Sequence, residues 1–538
     1  MRCSLALLGA WLLLAPSLAA QAPVDSVRDS LRIDEIRVVT HDIFKAEEAK
    51  GLIPRLANGL HWKTRPWVVR REVLLREGEA FDSARAAETE RNLRALRVFR
   101  RVRVDSARSE SGALRLEVET QDAFTTRTDF AFRRSGGGRS GLIWSVGMTE
   151  RNLFGTATAL GVRYRDTPDR TAVLFTGTRQ RLFANRVGMA AIYDDRSDGR
   201  LAWLSVFQPF FSFSTTGSWY ATGEERQERI LRFREGGVDP FSILQRRFWL
   251  TTAGVSFAPI ASPERYLRVS ITGHLKRDDF ADEVATDTLA HSVSGTVGAQ
   301  LQWRRARFLV AQNVEGFGRD EDVDLSTVLQ AGVNFTPRAF GYRDNGLVPS
   351  VQARTGIGFD RGFVRLAMAA HARISETGWV DSGSVHLGGL AVVQPKPKHL
   401  AVLFAGQGWQ QNPMPGAEFD LGLVVGPRGF GSHEFTGDRA FFASAEYRYT
   451  VAEDVFRSAG IGLAAFADYG GAWYAGSERR TGYSVGLGLR FGVTIDSGLE
   501  PLRVDLARVG GSGLDRGRWE LAIGKGFVFD SQTLRLDR

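Results

Sequence analysis

The rhythm of apolar and polar positions along this chain changes near residue 123. Before that point it is mixed. Residues 33–39 read as a short strand and 66–75 as a helix; Asp82 reads as the N-cap of a second helix, with Ala86, Leu93 and Leu96 on one stripe and arginines opposite. Residues 99–104 and 114–119 then alternate apolar with charged side chains, which predicts two more strands. The order strand, helix, helix, strand, strand predicts a small α+β module over residues 33–122.

From residue 123 to 529 a period of two takes over. Tyr483, Val485, Leu487, Leu489 and Phe491 alternate with Ser484, Gly486, Gly488, Arg490 and Gly492, and Leu502, Val504 and Leu506 alternate with Arg503, Asp505 and Ala507. One face is oily and the other small or charged. A soluble sandwich also alternates, but its buried face needs bulk. Here the small face carries charges and glycines, aromatics gather near strand ends, and the run 518–529 alternates almost to its aromatic finish, with Lys525 breaking the oily face once. These features predict an all-β transmembrane barrel, because backbone groups in lipid must all be paired. At roughly 25 residues per strand and connection, about 400 residues predict about 16 antiparallel strands.

Composition sharpens this picture. Beyond residue 20 no apolar run reaches the about 18 residues of a spanning helix. Residues 1–20, with Arg2, an apolar run and a small-residue end at Ala19 and Ala20, predict a secretory signal peptide, and residues 21–32 a linker. The only cysteine, Cys3, lies within that leader, so no disulfide is expected in the exported chain. The net charge of +9 is spread over strands and loops without a block. With an export signal, that favours outer-membrane lipid or lipopolysaccharide over nucleic acid as the counter-charge.

The densest chemistry lies between residues 424 and 470. Arg428 sits in the glycine-rich turn Gly426-Pro427-Arg428-Gly429-Phe430. In the run that follows, alternation puts Ser444, Glu446 and Arg448 on one face; in the next, Asp468 shares a face with Phe466 and Ala464. Arg428 can fold back to meet Glu446 or Asp468 in a planar bidentate pair. The same residues also fit an ordinary surface turn beside two unrelated acids.

Several segments together resemble the outer-membrane assembly-factor superfamily typified by BamA and TamA. Residues 69–82 and 93–102 resemble a POTRA domain, the family's periplasmic module; Glu150-Arg-Asn152-Leu-Phe154-Gly155 resembles its periplasmic turn between the second and third barrel strands; Gly426 to Phe430 is similar to its loop motif; and Phe466-x-Asp468-x-Gly470 and Pro501-Leu-Arg503-Val-Asp505-Leu-Ala507 resemble its late-strand signatures. The resemblance implies a bacterial outer-membrane barrel with one POTRA domain in the periplasm. It implies that Arg428, Gly429 and Phe430 enter the lumen from an extracellular loop, with Asp468 as the first partner of Arg428 and Glu446 as the second. Pro427 stands where the family usually has valine, which stiffens the turn and removes a donor. The hairpin 135–140 is then external and the turn at Asn152, Phe154 and Gly155 periplasmic. Gly524, Gly526, Phe527 and Phe529 belong to the terminal strand at a lateral seam, and residues 530–538 form a periplasmic tail.

Catalytic chemistry is not legible. The eight histidines occur singly, without metal-ligand spacing, and read as surface or loop residues. Residues 319–324 read as a solvated acidic loop lacking the glycine and closing glutamate of an EF-hand. There is no nucleophile elbow or P-loop, so neither enzyme activity nor cofactor is expected. The resemblance implies insertion, assembly or translocation of other outer-membrane or secreted proteins, with unfolded clients engaging the POTRA or seam edge and periplasmic accessory proteins as further partners. The competing expectation is an orphan barrel that acts as a pore, receptor or lipid-handling protein.

Overall fold

The computed structural model describes residues 32–45, 52–108, 114–135, 141–182, 186–212, 214–234, 236–237, 239–262, 264–282, 293–317, 320–455, 459–493, 500–512 and 514–536. The expected leader, and all of the external hairpin except Ser135, lie outside the described residues.

The N-terminal unit is a three-stranded sheet in which Leu114–Asp122 runs between Ile33–His41, its parallel partner, and Phe99–Arg108, its antiparallel one. Two of its helices follow the alternation signal. Asp82 caps Ser83–Ala95, its Oδ1 accepting from the Ala84 and Arg85 amides at 2.8 and 3.2 Å. Pro66–Glu72 stops three residues short of expectation, because Val73 turns extended and the Leu74 amide donates to Thr89 Oγ1 instead of to a helical carbonyl. The helices cover one sheet face, burying Val69, Leu93, Leu116 and Val118. A third helix, Leu52–Gly59, lies in a segment whose sequence predicted no element.

Residues 126–525 form a closed antiparallel barrel of 20 strands, not about 16. Early spacing is the reason. Six strands of nine or ten residues fit within residues 126–208, joined by short turns, whereas the estimate spread strands evenly. Later strands reach 20 residues, as in Ser242–Ala261. The even count returns the last strand, Leu514–Lys525, to the end that carries the N-terminal unit. No helix among the described residues is long and apolar enough to cross a membrane.

Alternation places Val485, Leu487 and Leu489 outward and exposed, with Ser484 and Arg490 inward and buried. The inner face is nonetheless not simply wet. Phe404, Phe442 and Phe466 point inward and join Phe419, Phe430, Phe529, Leu534 and Leu536 in one apolar cluster. Many inner glycines are sockets for these rings: a Cβ at Gly408 would stand 2.2 Å from Phe419, and one at Gly482 2.4 Å from Phe430.

Candidate functional site

The long connection between the strands His399–Gln411 and Arg439–Val455 folds into the barrel. A two-stranded pair, Phe419–Leu421 with Phe435–Gly437, narrows its base. His433 fixes it to a neighbouring turn, lying between Asp169 and Asp420 at 2.8 Å each and stacking on Phe233 with ring centroids 3.7 Å apart. Burial opposes the His433 charge, but the hydrogen bonds to Asp169 and Asp420 prevail and raise its pKa to about 9.

At the tip, Gly426 and Gly429 take positive φ, and between them Arg428 is 3% exposed. Its guanidinium is shared among three carboxylates instead of forming one bidentate pair. Nη2 reaches Glu446 at 2.7 Å, Nε faces Asp468 at 3.2 Å and Nη1 faces Asp505 at 3.7 Å, while the group lies 3.9 Å from the centroid of the Phe466 ring. Its amide donates to Asp468 Oδ2 at 3.2 Å and that of Gly429 to Ser135 Oγ at 2.7 Å, so the proline before them takes neither contact away. Phe430 is fully buried against Phe435, with ring centroids 5.0 Å apart.

Around these sit residues to which sequence reasoning gave no role. Arg448 and Arg490 bind Glu446 at 2.5 and 2.9 Å; Arg490 and Arg503 bind Asp505 at 2.6 and 2.7 Å; Ser444 and Ser484 donate to Asp468 at 2.7 and 3.0 Å. Strand parity had put each of them on the small, charged face. What it lacked was the neighbour relation between strands.

The barrel closes weakly. Among the described residues only Ile523 and Arg134 are in register between the last strand and the first, Thr126–Arg134, whereas every other neighbouring pair of strands shares at least seven such positions. Lys525 Nζ bonds the Phe130 carbonyl, putting a side chain where backbone pairing would continue. The terminal strand stops there, two to four residues before the expected Phe527 and Phe529, because Gly526 turns the chain at φ 60°. Gly524 is in the strand but has a different use: a Cβ there would stand 2.8 Å from the Arg503 guanidinium.

A family comparison covers this part of the molecule. Residues 415–527, which hold the loop, the charged cluster and the terminal strand, match the Omp85 superfamily domain. Among solved structures, the chain is similar to BamA from Haemophilus ducreyi lacking POTRA domains 1–3, at 12% identity and TM-score 0.40, covering 92% of this chain and 85% of that one. It is also similar to CdiB from Acinetobacter baumannii, at 12% identity and TM-score 0.43 with 92% and 74% covered, and to CdiB from Escherichia coli, at 11% and 0.45 with 93% and 77%. No curated protein matches the sequence.

Beyond the matched stretch, two segments close the end of the lumen nearest the N-terminal unit. Residues 530–536 of the expected tail are tucked against the inner face of the barrel. Phe529 stacks on Phe404 at 4.1 Å, Leu534 and Leu536 are almost fully buried, and Arg365 donates to the Ser531 carbonyl at 3.0 Å. Next to it, residues 320–324 of the expected acidic loop form a strand: Asp320–Asp324 pairs with Phe308–Gln312, Asp324 lies near Arg304 and Arg354, and Phe317 packs on Gly460, Gly462 and Gly492. Glu315 accepts from Ser531 Oγ at 2.8 Å and ties the two segments together. A cavity of about 830 Å³ remains above them, lined by His274, Lys276, Arg373, Gln410 and Arg535 among others.

The motif turn joins barrel to N-terminal unit. Asn152, fully buried, donates to the Trp62 carbonyl at 2.8 Å and Thr64 Oγ1 at 2.9 Å and accepts from the Ala157 amide at 2.9 Å. Gly155 must be glycine: a Cβ would lie 2.3 Å from the Lys63 carbonyl oxygen, at φ 70°. Phe154 stays exposed against Trp62. Of the histidines expected at the surface or in loops, His61 and His433 lie in loops but are enclosed, and His386 is on a strand. His386 and His433 are buried in the barrel, and the His61 side chain is 1% exposed at 2.8 Å from Asp122. Among the described residues no His, Cys, Asp or Glu side chains group to hold a metal ion.

Proposed function

We propose that this chain is an outer-membrane barrel that assists the insertion or translocation of other outer-membrane or secreted proteins. The observation that carries this reading is the seam, where among the described residues a single registered pair closes the barrel and most of the Thr126–Arg134 edge is left without a strand partner. Such an edge is a template for a client strand, which gains main-chain hydrogen bonds as it adds. The match of residues 415–527 to the Omp85 superfamily domain supports it. In this reading the N-terminal sheet is the POTRA domain, facing the periplasm, and its outer strands offer a second edge to clients or accessory proteins. Arg428 is the latch that holds the loop inside the lumen, and lipid and lipopolysaccharide surround the barrel. Free energy comes from client folding, with no cofactor or catalytic residue. An orphan pore would need an open path through the lumen, whereas here Phe419, Phe529 and Leu534 pack in one apolar cluster inside it.

A disulfide across the seam tests the proposal. Arg134→Cys/Ile523→Cys, in a Cys3→Ser background, should restore the outer-membrane proteome of depleted cells only when reduced. Full restoration with the seam oxidised refutes strand addition there. A proteome unchanged by depletion removes the assembly function altogether.

A further inference from the structure

We infer that residues 52–65 are an interfacial anchor that seats the N-terminal unit on the phospholipid surface beside the seam. The inference rests on the reading that the barrel spans a membrane and is independent of what the barrel handles. Leu52, Leu56 and Leu60 are 74%, 52% and 74% exposed. Their spacing of four sets them on one stripe, extended past Gly59 by the bond from the Leu60 amide to the Leu56 carbonyl at 2.9 Å. Single exposed leucines are ordinary on a protein surface, but these continue into Trp62, Phe124 and Phe154, all exposed as well. Trp62 and Phe154 meet with ring centroids 5.2 Å apart.

The patch is held against the barrel end. The Arg65 amide donates to the Gly155 carbonyl at 3.0 Å, Asn152 holds the Trp62 carbonyl, and Thr125 Oγ1, one residue from Phe124, donates to Glu150 at 2.7 Å. Phe154 lies between the strands Leu142–Glu150 and Thr158–Asp166, whose outward faces expose Met148 and Leu160, and the neighbouring first strand exposes Phe130. The apolar stripe is therefore continuous with the belt that faces lipid, which decides for a lipid surface over a protein partner. Arg55, Lys63 and Arg65 are exposed along the same segment. Leucine and tryptophan beside basic residues is the composition of a segment lying in the headgroup region, with its charges reaching anionic phosphates. It is too short to span and has no need to.

The test uses the full chain in vesicles of phosphatidylethanolamine and phosphatidylglycerol, in a Cys3→Ser background, with an environment-sensitive fluorophore at Leu56→Cys. Leu487→Cys on the barrel belt reports insertion and Asp34→Cys reports water. The Leu56 probe should be blue-shifted and quenched by headgroup-proximal nitroxide lipids at least twofold more than the Asp34 probe, and Leu52→Glu/Leu60→Glu should abolish the difference. Quenching at Leu487 without quenching at Leu56 overturns the anchor and leaves the membrane reading standing. A blue shift at Leu56 without lipid quenching means protein covers the patch, which also overturns it. No quenching at Leu487 means that the barrel itself is not in lipid, and both readings fall.

Discussion

Replacing Arg428 by alanine should destabilise the folded barrel through one particular acid. Without the guanidinium, Glu446 keeps Arg448 and Arg490 at 2.5 and 2.9 Å, and Asp505 keeps Arg490 and Arg503 at 2.6 and 2.7 Å. Among the described residues Asp468 has no other cation within reach and retains Ser444, Ser484 and the residue 428 amide. A buried carboxylate stripped of its cation costs on the order of 3 kcal/mol. Loss of the contact with Phe466 adds about 1 kcal/mol. If that division is right, Asp468→Asn removes the stranded charge, keeps an acceptor for the serines, and recovers most of the loss in the Arg428→Ala background. The double variant should then be less destabilised than the two single ones added together by about 2 kcal/mol. The assay is a urea titration of heat-modifiability in vesicles, scored as the fraction of folded band, with limited proteolysis of residues 412–438 in parallel. Additivity within about 0.5 kcal/mol would refute the assignment of the cost to Asp468, and an unchanged Arg428→Ala midpoint would refute the latch.

The remaining predictions concern the contacts around that centre. Because the folded pKa of His433 is raised to about 9, its stabilising contribution is full below the ordinary value and is lost as pH rises through about 9. Protease access to the loop should therefore increase across that window, and His433→Gln should flatten the profile. Leu534→Asp/Leu536→Asp should expel the tail and raise single-channel conductance in planar bilayers, with truncation after Asp530 as the second variant; unchanged conductance in both means the tail does not close the lumen. Asn152→Ala leaves the Trp62 carbonyl, Thr64 hydroxyl and Ala157 amide short of a partner, at about 1–3 kcal/mol for each group left unsatisfied. Hydrogen exchange at residues 156–158 should rise, and no change would show that water replaces the asparagine.

Strand alternation carried most of the fold because period two survives wherever one face meets lipid. It fixed the face of Arg448, Arg490, Arg503 and Asp505, yet cluster membership depends on register: Glu446 stands opposite Phe466 and Asp468 opposite Ser484, relations between strands that a single run does not encode. The strand number was missed for a similar reason. Nine-residue strands with brief turns and 20-residue strands carry the same alternation, so the pattern does not count crossings. The terminal aromatics were misplaced because Phe527 and Phe529 continue the alternation that Gly526 ends. Glycine on the inner face looked like a wet lumen. It proved to be room for aromatic rings brought in by segments remote in sequence, such as Phe317 against Gly460 and Gly492.

The loop and the seam are one mechanical unit, because the loop touches both strands that the seam fails to join. On the first-strand side Arg133 donates to the Val424 carbonyl at 2.8 Å, and Ser135 accepts from the Gly429 amide at 2.7 Å. On the other side Gly429 packs against Val509 and Glu520, and the Gly426 amide donates to the Val528 carbonyl at 3.3 Å. With one registered pair between the strands themselves among the described residues, these contacts link the loop to both sides of the closure, and the latch proposed for Arg428 would hold them in place. Loss of Arg428 should thus spread the seam as well as the loop. The measurable consequence is a lower yield of the Arg134→Cys/Ile523→Cys disulfide under mild oxidation when Arg428→Ala is added, with the folded fraction held equal between samples. An equal yield would mean that the latch stabilises the lumen alone and that the seam opens independently of it.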